Sequence, residues 1–72
     1  MPRLPVASAD EVCRALKSAG FLPKSQKGSH LKLKHPDGRT VIVPNYSEIA
    51  LGTLRSILKQ AGLTVEQFLA IF

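Results

Sequence analysis

From His30 to His35 the chain alternates polar and apolar side chains, bracketed by Gly28-Ser29 before and Pro36-Asp37-Gly38-Arg39 after. Alternation at period two puts His30, Lys32 and Lys34 on one face of a strand and Leu31, Leu33 and His35 on the other. Successive members of a face stand roughly 7 Å apart. Gly38 tolerates positive φ and Asp37 can accept local backbone bonds, so the second bracket reads as a tight turn. Thr40-Val41-Ile42-Val43 is β-branched throughout and reads as the returning strand, ended by Pro44. Residues 21 to 27 read as a short first strand, and Pro23, lacking an N–H, suits a sheet edge. Short connections make the three an antiparallel meander.

Helical patterns flank this sheet. Ser8 with Glu11 three residues on forms a capping box. Val12, Ala15, Leu16 and Ala19 follow at helical spacing, and Gly20 supplies a stop, so the first helix covers about 9 to 19. Cys13 falls at the edge of that stripe and reads as a small buried hydrophobe rather than a reactive thiol. Pro44 to Leu51 read as a connector with one loose turn around 48 to 51. From Thr53, the residues Leu54, Ile57, Leu58 and Ala61 repeat on one face until Gly62. Thr64 and Gln67 form a second capping box, with Val65, Phe68, Leu69 and Phe72 as the apolar face of a short last helix. The order is α-β-β-β-α with a terminal helix, an α+β class in which helices cover the Leu31-Leu33 face. His30, Lys32 and Lys34 are then left facing solvent or a ligand.

The 72 residues are expected to form a single domain, 1–72. A domain this small buries only about 60% of its unfolded surface, so stabilisation by a partner or by self-association fits it. Ten Lys plus Arg against five Asp plus Glu give +5, which favours nucleic acid, an acidic protein or an anionic surface. The single cysteine excludes an internal disulfide and a cysteine metal cluster. No run of 18 apolar residues occurs, so no membrane partner and a cytoplasmic setting are expected. His30 and His35 point to opposite faces, and no His-x-x-x-His or paired-carboxylate pattern exists, so no metal site or cofactor is expected.

The polar strand face carries the chemistry. Imidazole exchanges a proton near neutral pH, and the lysines around His30 offer charge to phosphates. Lys24, Lys27 and Arg39 extend that field, depending on register. Gly28 permits close backbone approach, and Ser29 can donate a hydrogen bond at the mouth of the strand. RNA brings its own nucleophile, the 2′-hydroxyl, so cleavage requires proton transfer and charge stabilisation rather than a metal. Tyr46 can stack on an unpaired base or cover the sheet edge. Arg55 and Lys59 either extend the basic surface or keep a helix face soluble. By residues alone, three readings stand: a nuclease, a non-catalytic RNA-binding module, and a protein-interaction domain with a basic face.

Gly28-Ser29-His30, Pro36-Asp37-Gly38-Arg39, Val43-Pro44 and the run from Gly52 to Leu63 resemble the HicA-type mRNA interferase toxins, also called the YcfA-like family. The resemblance implies a double-stranded-RNA-binding-domain-like fold and a toxin of a type II toxin–antitoxin pair. It further implies metal-independent cleavage of mRNA by the histidine matching His30; on the residue reading above, Lys27, Gly28, Ser29, Lys32, Lys34, Arg39 and Tyr46 are the expected substrate contacts. The implied partners are mRNA and a HicB-type antitoxin that covers the active face in a hetero-oligomeric complex. Many relatives carry a second histidine at the position of Tyr46; a tyrosine there is a poor base at neutral pH but a usable donor.

Overall fold

A computed structural model describes residues 3–72. Ser8 opens the first helix as its sequence demands: its side chain accepts from the Glu11 N–H, and the Glu11 carboxylate accepts from the Ser8 N–H at 3.0 Å. That helix, α1, runs Ala9–Ser18. Its end is closed by two bonds, Gly20 N–H to Lys17 and Phe21 N–H to Leu16, a pairing that needs the left-handed φ of +98° found at Gly20. The chain then runs directly into the sheet.

Three strands follow, β1 (Leu22–Lys27), β2 (His30–Lys34) and β3 (Thr40–Pro44), in the spatial order β1-β2-β3 and antiparallel throughout. A two-residue connection joins β1 to β2, and only its first residue, Gly28, has positive φ, the pattern of a type II′ turn that matches strand twist. β1 is an edge, as its proline suggests, and it carries an irregularity between Pro23 and Ser25. Helices α2 (Leu51–Ala61) and α3 (Val65–Ile71) complete an α+β fold of the double-stranded-RNA-binding-domain-like type. α3 begins on the expected reciprocal cap between Thr64 and Gln67.

The core lies between the helices and one sheet face. Val12, Leu16, Phe21, Leu33, Val41, Val43, Leu54, Ile57 and Phe68 are all buried in it. α1 and α2 both pack on β3, and α3 packs on α1. The free edge of β3 is closed by a side chain: the Ile42 N–H donates to Gln60 Oε1 at 3.0 Å, and Gln60 is steadied by Ser56. β1 has no such cover, and every one of its residues is exposed.

Three expectations need correction. α2 starts at Leu51, two residues before the expected Thr53; its N-cap is Ala50, with no side-chain cap, so the sequence carries no start signal there. The expected loose turn around 48 to 51 is instead a bridge, with Ile49 paired to Ala7 and buried. In α3, Phe68 is buried and Val65 and Ile71 pack partly against the core, whereas Leu69 and Phe72 face outward. A seven-residue helix at the end of a small core offers only one stripe to bury, and this stripe follows 65, 68 and 71.

Phe21→Ala is therefore expected to cost about 3–5 kcal/mol, comparable to the whole stability of a domain this size. Leu69→Ala is expected to stay within about 0.5 kcal/mol. Urea titrations of the two variants beside the wild type measure both.

Candidate nucleic-acid interface

The register of the sheet decides which side chains meet on its outer face. β2 is central, with His30 opposite Lys27 on β1 and Pro44 on β3, and Lys32 opposite Ser25 and Ile42. Lys34 stands opposite Leu22 and Thr40. His30, Lys32 and Lys34 are all exposed, as alternation requires, while Leu33 is buried and Leu31 partly so.

Two depressions divide this face. The one at the hairpin end, about 310 Å³, is lined by Ser25, Lys27, His30, Lys32 and Ile42. The other lies toward the far end of the strand and gathers Lys24 and Lys34 with Leu22, Pro23, His35 and Pro36. His30 thus has one lysine across from it and another two residues along its own strand. Ile42, 38% exposed, stands opposite Lys32 on β3 and adds an apolar patch to the same depression. Ile42 and Ser25 were not singled out in the sequence. From Thr40 to Val43 β3 is β-branched at every position and so lacks an alternation signal, but counting back from the 36–39 turn would have paired Ile42 with Lys32.

Beyond His30 the strand pairing continues by one bond, from the Asn45 N–H to Ser29 O at 2.5 Å. Tyr46 comes next. Its N–H donates to Pro44 O and its carbonyl accepts from the Ala9 N–H, so its backbone ties the site end of the sheet to the start of α1. Its ring is 53% exposed. Nothing lies within 4 Å of where a Cβ on Gly28 would stand, and its φ of +56° by itself calls for glycine.

Arg39, like Lys34, is a predicted site residue that the fold does not bring to His30. It precedes Thr40 at the opposite end of the strands, roughly 13 Å along β2. Its Nε donates to both Asp37 oxygens, at 3.1 and 2.8 Å, and its Nη1 donates to the carbonyl of Ala61 at the end of α2. The guanidinium lies 5.2 Å from the centre of the Phe21 ring. It is a clamp between the β2–β3 turn and α2. His35 belongs to the same knot, edge-on to Phe21 at 5.1 Å. Its Nδ1 is 3.1 Å from both the Asp37 N–H and Oδ1, so a neutral ring accepts from the backbone and a protonated ring donates to the carboxylate. His30 and His35 do not converge, and among the described residues no group of three or more His, Cys, Asp or Glu is placed to hold a metal ion.

A family model described as the HicA toxin of bacterial toxin–antitoxin systems matches residues 9–63, from the start of α1 to just past α2. The chain belongs to the HicA toxin family. Comparison with curated proteins returns no match. Membership makes this chain a toxin component with an antitoxin as its partner. The matched span contains every residue of the two depressions and the whole Arg39 knot. No helix among the described residues is long and apolar enough to cross a membrane.

The knot has a pH signature. The Arg39 backbone N–H, donated to Asp37, holds that carboxyl below its ordinary range, helped by the Arg39 guanidinium and by His35 and opposed only by slight burial. A depressed carboxyl pKa adds stability above its unfolded value, and that stability is lost as pH falls through the folded value. Asp37→Asn is expected to melt below the wild type at neutral pH, with the gap closing as the buffer is taken below the carboxylate range. Melting temperatures across a pH series test this; a gap that does not change with pH would show that Asp37 acts only through its shape.

Proposed function

We propose that this HicA-family toxin is a metal-independent endoribonuclease that cleaves mRNA and is neutralised by a HicB-type antitoxin. The observation that carries the reading is the placement of an exposed imidazole between two lysine ammonium groups on a surface free of carboxylates. O2′ of the RNA attacks the adjacent phosphorus, the P–O5′ bond breaks, and a 2′,3′-cyclic phosphate is left on one fragment. His30 carries one of the two proton transfers, from the 2′-hydroxyl or to the departing 5′-oxygen, and solvent carries the other. Lys27 and Lys32 hold the non-bridging oxygens as charge builds on them. Because the nucleophile belongs to the substrate, the step calls for no metal-bound water.

The other candidates take outlying places. Gly28 and Ser29 shape the turn that presents His30, and Lys34 with Lys24 continues the phosphate track along the strand. The Tyr46 ring receives an unpaired base beside the cleavage point, a role that suits single-stranded RNA. Arg39 acts at a distance, by holding the sheet end against α2. The antitoxin reading rests on the same face: an inhibitor lying over His30 would meet four exposed lysines and so is expected to be acidic where it touches.

The decisive experiment incubates the purified chain with a defined single-stranded RNA in excess chelator, beside His30→Ala. Wild type is expected to yield discrete fragments ending in 2′,3′-cyclic phosphate or 3′-phosphate. The variant, altered only at an exposed side chain, is expected to melt at the same temperature and cleave at least about a hundredfold more slowly. Cleavage at the wild-type rate by His30→Ala would overturn the mechanism. Lys32→Ala is expected to weaken RNA binding and to lower the slope of log K against log salt by about 0.7, the value for one lost phosphate contact on a single strand.

A further inference from the structure

The side of the hairpin that faces away from His30 holds a second feature. α1 and α2 pack chiefly on β3, so β1 extends past the helical layer with all its residues exposed. Beneath that overhang, between α1 and the inner face of β1 and β2, lies a groove of about 360 Å³. Its floor is apolar: Pro23 from β1, Leu31 and Leu33 from β2, and the half-buried Cys13 from α1. Its rim carries Arg14, Lys17 and Lys32 against one carboxylate, Asp10.

That combination is selective. An apolar floor of this size takes one large apolar side chain with a little flanking backbone. A cationic rim favours a chain whose residues beside that anchor are acidic, and it disfavours a second copy of this basic protein. RNA fits poorly, because the lining includes no aromatic ring on which a base could stack. We infer that this groove is a docking site for an acidic polypeptide segment that inserts one aliphatic or aromatic side chain between Cys13 and Leu31. The groove lies on the helix side of the hairpin but shares Ser25 and Lys32 with the His30 depression, so a partner held there reaches the margin of that depression without covering His30 itself. The inference does not depend on RNA cleavage and stands or falls separately from it.

Cys13 is the chain's only cysteine, and burial pushes its thiol up, with Asp10 adding to the effect and Lys17 opposing it. Its alkylation is therefore slow but specific, and it reports on the groove floor. The full chain is treated with N-ethylmaleimide at neutral pH in the presence of a short peptide of Asp and Glu with one central Phe. Parallel reactions use the same peptide with Ser in place of Phe, and a single-stranded RNA. The Phe peptide is expected to slow alkylation of the wild type and of His30→Ala alike by at least about fivefold at saturation. The Ser peptide and the RNA are expected to leave the rate unchanged.

The double variant Arg14→Glu with Lys17→Glu changes two exposed helix positions, and circular dichroism checks its fold. It is expected to bind the Phe peptide at least about tenfold more weakly. Four results would overturn the proposal: no protection by the Phe peptide, equal protection by the Ser peptide, protection by RNA instead, or unchanged peptide binding by a folded double variant.

Discussion

Because side chains alternate across a strand, sliding β2 by one residue against β3 would carry Lys32 into the core and Leu33 into water. Everything else rests on preventing that slip, and the fold blocks it at both ends of the strand. At one end the two-residue connection through Gly28 and Ser29 fixes Lys27 opposite His30, and the bond from Asn45 to Ser29 pins β3 to the same turn. At the other end the His35 N–H donates to the Arg39 carbonyl at 2.8 Å, and the His35 carbonyl accepts from the Gly38 N–H at 2.9 Å. Arg39 then fastens that turn to α2. Register thus comes from turn chemistry, and the arrangement of side chains around His30 follows from register.

Much of this was legible in the residues. The alternating run of β2 named both faces correctly, and the capping boxes at Ser8 and Thr64 set the starts of α1 and α3 within a residue. Legibility failed where the deciding interaction is not local. Arg39 reads as a mobile cation in a basic stretch, yet its partners lie two and twenty-two residues away, on Asp37 and Ala61. α2 begins without a capping side chain because Ile49, paired to Ala7, fixes the chain just ahead of it. In α3 two stripes were open to a helix of that composition, and only the position of α1 chooses between them. The residues around His30 were readable as a set, apart from Ile42 and Ser25, which need the pairing of three strands to find.

The two edges of the sheet are handled by different means, and the contrast bears on function. β3 sits under α2, and Gln60 occupies the Ile42 N–H, so no further strand can add there. β1 is open, which in a small basic protein invites pairing between copies. Its defence is its own composition: a proline without an N–H, an irregularity beside it, and lysines at 24 and 27. Those devices repel a second copy of the chain while leaving the edge accessible to an acidic one.

The hairpin lysines consequently serve two ends, and this shapes how their loss should be understood. Lys27 lies in the His30 depression and also on the open edge strand, whereas Lys32 lines both that depression and the groove beneath. On the proposed nuclease reading, removing either charge weakens a phosphate contact, and it also removes a charge that opposes edge-to-edge association. On that reading, a lysine-to-alanine variant that loses activity can have lost its substrate contact or gained an edge-to-edge contact. Arginine at the same positions separates the two, since it preserves the repulsion between copies while changing the shape of the phosphate contact. The same lysines that the proposed reading sets against a polyanion also oppose pairing of this small, open-edged sheet with itself.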